Sequence, residues 1–166
     1  MKRLLLLRHA KSSWEHAGMS DFERPLNERG LRAAPLVGRF MREQKLQPDL
    51  VLCSPAERAR QTAALVAEAA GLRAPLRYDE RIYEATAARL VEVVSQAEDG
   101  AGELLLVGHN PGLEELIELL TGESRRMPTA ALARIQLDLD KWAKLRERTG
   151  HLEWQVKAKE LVDSSQ

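Results

Sequence analysis

Three short apolar runs, RLLLL at 3–7, DLVLC at 49–53 and ELLLV at 103–107, constrain this chain more than any other feature of it. Each has the length of a strand, and none alternates apolar with polar residues, which is the pattern of strands covered on both faces. Such strands need helices above and below, so the runs predict the centre of a parallel sheet. Ser54 and Pro55 follow the second run. Ala56, Ala59, Ala63, Val66 and Ala70 then form one stripe before Gly71, which predicts a helix over 55–70 lying close on the sheet. The same grammar follows the third run: Asn110, Pro111, a stripe of Leu113, Leu116, Ile117 and Leu120, then Gly122.

Asn27 opens a further helix reaching 45, with a kink expected at Pro35 because proline removes a backbone hydrogen bond. Ala87, Leu90, Val91, Val94 and Ala97 make another helical face, while 75–79, 131–139 and 151–157 read as strands separated in part by the short excursion WAKLRERTG. The expected fold class is therefore α/β: a three-layer α/β/α sandwich with a mostly parallel central sheet. One domain over 1–161 accounts for nearly all of the 166 residues, with a frayed tail expected at 162–166.

Lys+Arg and Asp+Glu both total 25, so no global positive field exists to hold nucleic acid or an anionic membrane, and neither is an expected partner. No segment approaches the ~20 apolar residues of a membrane span. The opening MKRLLLLRHAKSS imitates an export segment, but Arg8 ends the apolar run at Leu7, short of the roughly 7–15 residues required. The single cysteine, Cys53, cannot form an intramolecular disulfide. A cytoplasmic protein in a reducing compartment is the expectation.

Each central run ends in polar residues: Arg8 and His9, then Ser54 to Arg58, then Gly108, His109 and Asn110. Open α/β sheets bind ligands at the carboxyl ends of their strands, so these groups are expected to converge. Two guanidiniums, two imidazoles and the N–H groups of two helix N-termini make a receptor for a small, dense anion such as phosphate. Zinc is disfavoured, since neither histidine stands in a spaced ligand motif and two arginines would repel the cation; no metal and no cofactor are expected. Cysteine-dependent phosphatases place an arginine six positions after the nucleophile, but the sixth residue after Cys53 is Ala59 and the arginines fall at 58 and 60. Cys53 therefore reads as a structural thiol. A neutral imidazole can attack phosphorus to give a phosphoramidate, and neighbouring arginines both keep it neutral and stabilise the transferring oxygens. On residue chemistry alone the nucleophile is His9 or His109.

LLLLRHAKSSW resembles the RHG signature of the histidine phosphatase, or phosphoglycerate mutase-like, superfamily, and SPAERARQTA and LLLVGHNPGL are similar to its second and third motifs. The three occur in order and span most of the chain. Short length, the RHA variant and HNPG are most similar to the SixA-type phosphohistidine phosphatase branch. The resemblance implies a phosphoglycerate mutase-like fold and a metal-independent hydrolase, with His9 as the phosphorylated nucleophile and Arg8, Arg58 and His109 as the phosphate pocket. It further implies a phosphate contact from Ser12, for which a loop cap is the other reading. Glu80 in DERIYEA would be the proton donor, with Glu84 as runner-up and a solvated loop carboxylate as the alternative. Two departures stand beside the nucleophile: Ala10 replaces the family's usual glycine and Lys11 its common glutamate.

Segments 10–26 and 79–103 leave little room for a lid, so the site is expected to be open. An open site favours a phosphorylated protein, and the expected partner is a histidine-phosphorylated signalling protein, met by a monomer or weak oligomer of this chain. The alternatives are a small-molecule phosphomonoester phosphatase, a phosphoglycerate mutase-type phosphotransferase and a noncatalytic phosphate-binding module. His16 and His151 read as surface residues.

Overall fold

The computed structural model describes residues 1–15 and 17–161; His16 and the tail at 162–166 lie outside the described residues. The chain runs β1 (Lys2–Arg8), α1 (Glu28–Glu43), β2 (Leu50–Cys53), α2 (Glu57–Ala70), β3 (Leu76–Tyr78), α3 (Ala87–Ser95), β4 (Glu103–Gly108), α4 (Gly112–Thr121), β5 (Leu132–Leu137) and β6 (Gly150–Val156). The strands form one sheet in the order β3-β2-β4-β1-β5-β6. β1, β2, β3 and β4 are mutually parallel; on the β1 side β5 pairs antiparallel with β1, and β6 pairs antiparallel with β5 and so runs with the other four. The expected mostly parallel sheet is therefore present, and the three apolar runs occupy its centre.

Both faces of the sheet are covered, which is why those runs do not alternate. Leu4 and Leu6 of β1 pack into a core with Leu90 and Val94 of α3 and Leu113, Leu116, Ile117 and Leu120 of α4. Leu5 and Leu7, pointing the other way, join Val37 and Met41 of α1 and Ala59, Ala63 and Val66 of α2. Burying each such leucine contributes about 1.5–3 kcal/mol. The small stripe of α2 lets α1 approach closely, and Gly38 is the point of contact: a Cβ there would stand 2.6 Å from Ala69 Cβ and 2.7 Å from the Val66 carbonyl.

Asn27 caps α1 as expected, its side chain accepting from the Gly30 N–H at 2.9 Å, and the helix continues through Pro35 to Glu43. α2 opens at Glu57 and not at Pro55, because Ser54 Oγ accepts from the Ala56 N–H at 3.2 Å and closes a turn ahead of the helix. α4 opens at Gly112, with Pro111 as its cap. Within the excursion before β6, Trp142 is wholly buried and its Nε1 donates to the Ala101 carbonyl at 2.7 Å. His151 is exposed, as expected. Among the described residues no helix is long and apolar enough to cross a membrane.

Candidate active site

Arg8 closes β1 directly opposite Gly108, the last residue of β4, so His9 and His109 leave the sheet side by side. The His9 N–H donates to the Gly108 carbonyl at 3.1 Å and continues the ladder one step further. The two imidazole rings stand 5.1 Å apart, tilted by 52°. Arg58 enters from the first turn of α2, which follows β2 on the far side of β4. It is almost fully buried, and its positive charge and that of Arg8 bear on both imidazoles. Arg8, His9, Arg58 and His109 thus meet at the carboxyl edge of the sheet, where the sequence pattern put them.

His9 is buried, and its Nδ1 lies 2.7 Å from the Ala10 carbonyl. A carbonyl can only accept, so Nδ1 carries the proton and the neutral ring keeps its lone pair on Nε2. Burial pulls the His9 pKa down to about 4 despite that hydrogen bond, with help from Arg58, Arg8 and Arg24. Burial, then His9 and Arg58, holds His109 lower still, at about 3. Both rings are therefore neutral at pH 7. His109 Nε2 lies 2.7 Å from Ser54 Oγ. Arg8 Nη1 donates to the Met127 carbonyl at 3.1 Å.

Among the described residues four buried side-chain nitrogen or oxygen atoms lack a hydrogen-bond partner: Arg8 Nε, Arg58 Nε, His109 Nδ1 and Asn110 Oδ1. Such atoms are rare in native proteins, and these belong to one strand-end cluster. Both guanidinium Nε–H groups are obligate donors, which a tetrahedral oxyanion, rich in acceptors, would satisfy.

The cluster has a second layer that sequence reasoning missed. Asp21, in a 3-10 turn (Asp21–Glu23) between β1 and α1, accepts from Arg58 Nη2 on Oδ2 at 3.0 Å and from Arg24 Nε on Oδ1 at 3.1 Å. The Tyr83 hydroxyl donates to Oδ2 at 2.5 Å, and the Asp21 carbonyl accepts from Arg58 Nη1 at 2.7 Å. The phenol and the guanidiniums hold the Asp21 carboxyl down at about 2. Burial, then Asp21 itself, pushes the Tyr83 phenol up to about 12. Tyr83 also stands edge-on to the His109 ring at 5.6 Å. No motif marks Asp21 in the sequence, whereas Tyr83 sits inside the DERIYEA segment beside Glu80 and Glu84.

Ser12 is half-buried and its Oγ accepts from Arg24 Nη1 at 2.9 Å, which ties it to the same second layer. Glu80 and Glu84 are exposed on the rim, lining a shallow cavity of about 390 Å³ together with Tyr83. Among the described residues neither carboxylate forms a hydrogen bond or ion pair with the four central side chains. Cys53 is buried on the α1/α2 side of the sheet with its Sγ near the Ser54 and Ala59 carbonyls, and burial pushes its thiol up to about 12. That suits an inert thiol.

Comparison with known proteins supplies the family. The family profile of the Histidine phosphatase superfamily (branch 1) matches residues 4–90, a span containing Arg8, His9 and Arg58. An uncharacterised protein of Mycobacterium tuberculosis is 42% identical over 118 residues, covering 71% of this chain and 72% of that one. The phosphohistidine phosphatase SixA of Escherichia coli is 29% identical over 140 residues, covering 82% and 86%. A solved structure from Nakamurella multipartitia assigned to SixA superposes with a TM-score of 0.83 at 27% identity, covering 94% of this chain and 95% of that one. With two histidines and two arginines gathered at the ends of its central strands, and with sequence likeness across both halves of the domain, this chain belongs to the histidine phosphatase superfamily.

Proposed function

We propose that this chain is a phosphatase that works through a phosphoryl group carried covalently on His9, with phosphohistidine on a protein as its substrate. The observation that carries the mechanism is the state of His9: its Nδ1–H is engaged by the Ala10 carbonyl, its Nε2 lone pair is free, and two guanidiniums flank it. In the first step Nε2 attacks phosphorus, a P–N bond forms and the bond from phosphorus to the leaving group breaks. Arg8, Arg58 and His109 bind the transferring oxygens, on which charge accumulates in flight. In the second step water attacks the phosphorus, the P–N bond breaks and orthophosphate leaves, returning His9 to its neutral form. Glu80 is the proposed proton donor to the leaving group, reaching in from the rim. An imidazole leaving group departs more readily than an alkoxide and asks less of that donor. The proposed phosphate contact of Ser12 runs alongside its bond to Arg24. Metal independence is part of the proposal, since guanidiniums supply the positive charge that a cation would otherwise bring.

Two features support a protein substrate. Among the described residues the one helical element between β1 and α1 is a short 3-10 turn, and α3 is packed into the core through Leu90, Val93 and Val94. On the rim Trp14 and Phe22 are exposed, at 80% and 41%, and Trp14 stacks on the Arg24 guanidinium at 3.5 Å. Exposed aromatics beside a shallow site suit a protein surface better than a small enclosed metabolite.

The test is rapid quench with labelled acetyl phosphate and with a phosphohistidine peptide, in chelator, followed by mapping of the acid-labile label. Label on His9, lost in His9→Ala, is expected. Label on His109 would reverse the roles, and binding without any labelled protein would refute catalysis. A kcat/KM for the peptide no better than for a simple phosphomonoester would refute the substrate assignment while leaving the mechanism standing.

A further inference from the structure

A cavity of about 750 Å³ shares only Arg8 with the residues of the proposed reaction. Its basic lining is dense: besides Arg8 it comprises Lys11, Arg29, Arg32, Arg126, Lys157 and Lys159, drawn from the end of β1, the start of α1, the loop before β5 and the segment after β6. The chain as a whole has equal numbers of cationic and anionic side chains, so this is a strong local excess. Glu114 is the one carboxylate lining the cavity, and it is already engaged, accepting from Asn110 Nδ2 at 3.1 Å and from the Met127 N–H at 2.7 Å. Among the described residues none of the six cations forms an ion pair. Like charges gathered in a concavity repel one another and focus a positive potential, a cost that a bound anion removes.

We propose that this cavity is a binding site for a small molecule carrying two or more phosphate groups. Its size falls within the roughly 300–1,000 Å³ of small-molecule sites, so the ligand is compact and not a flat macromolecular face. Charge density narrows the class further. Carboxylates on a peptide bring one charge each and are spaced by the backbone, whereas linked phosphates bring several within one small volume, and guanidiniums take them bidentately. Lys11, three residues beyond Arg8, adds its charge to the cavity from the loop that follows β1. Arg8 forms the shared wall, so a ligand here draws on the guanidinium that would also hold the transferring phosphoryl group. The site does not depend on which phosphorylated substrate His9 serves.

Titration of the full chain with inorganic tripolyphosphate, against orthophosphate, tests this by calorimetry and by amide chemical shifts. Tripolyphosphate is expected to bind at least tenfold more tightly than orthophosphate, with shifts centred on residues 29–33, 126–129 and 157–159. Arg32→Glu with Arg126→Glu should weaken it at least tenfold, and Arg42→Glu with Lys45→Glu, in the last turn of the same helix and just past it, should change it less than about twofold. Circular dichroism of each variant guards against loss of fold, and Arg32→Gln with Arg126→Gln provides a milder pair should reversal unfold the chain. Equal affinity for the two anions, shifts centred elsewhere, or tighter binding of an Asp/Glu peptide of matched charge would overturn the proposal.

Discussion

Acid should loosen this protein through His9. The residue is only 6% exposed and its pKa is drawn down to about 4, whereas in the unfolded chain it returns to 6.5. Because the folded value is the lower one, the unfolded state binds the extra proton first, so stability is intact above pH 6.5 and declines as pH falls toward 4. A tenfold change in proton affinity is worth about 1.4 kcal/mol, so the whole displacement amounts to roughly 3 kcal/mol, of which about 2 kcal/mol is lost between pH 7.5 and 5. His109, held at about 3, adds to the slope in the same window, and part of its displacement comes from His9. Urea unfolding followed by tryptophan fluorescence, in buffers free of phosphate and sulfate, measures this in wild type and His9→Gln. The variant should gain about 2 kcal/mol on wild type when the pH is taken from 7.5 to 5. Curves for the two proteins that run parallel, within about 0.5 kcal/mol, would refute the claim that His9 is buried neutral. Saturating orthophosphate should flatten the wild-type slope, because an anion at the arginines compensates the imidazolium.

Three further outcomes are expected. Gly30→Ala should cost about 2–3 kcal/mol in thermal or chemical unfolding, since its Cβ would stand 2.2 Å from the Lys11 carbonyl, which is itself held by the Asn27 N–H at 2.9 Å; a variant as stable as wild type would show that this loop yields freely. Cys53→Ala should retain acetyl phosphate turnover within about twofold, and the native thiol should react with Ellman's reagent only on unfolding, because a thiol pushed up to about 12 is not a thiolate at neutral pH. In Asp21→Asn the Tyr83 phenol should titrate below its present value of about 12 yet stay above 10, as burial is the larger cause of its displacement; phenolate absorbance reads this, and an unmoved titration would mean that the hydrogen bond contributes nothing.

The central strands and the four inner site residues were legible because one physical pattern announced each of them. Leu4 to Leu7 lack alternation since α1 and α2 cover one face and α3 and α4 the other. Arg8, His9 and His109 stand out because charged or ring nitrogens at the close of apolar runs must lie at strand ends, whereas Arg58 is marked by its place in the first turn of the helix that follows the second run. Helix starts were less exact. Serine followed by proline signals a turn as well as a cap, and at Ser54 the hydroxyl bonds the Ala56 N–H, so the helix opens two residues beyond Pro55. Asp21 could not be found, since its role arises from side chains of three other segments meeting it, and a lone aspartate in a polar loop has no local mark. The basic cavity escaped for a related reason: its cations are scattered from Lys11 to Lys159, and only the fold sums them.

Neighbouring parallel strands keep a separation of about 4.8 Å whatever side chains they carry. The two imidazoles, each one residue past the Arg8–Gly108 pair, stand 5.1 Å apart, so the main chain itself acts as the ruler. A slip of one residue between β1 and β4 would slide one ring about 3.3 Å along its strand and ruin the gauge. Descendants of this sequence can therefore rewrite almost every surrounding loop while the two imidazoles stay in step.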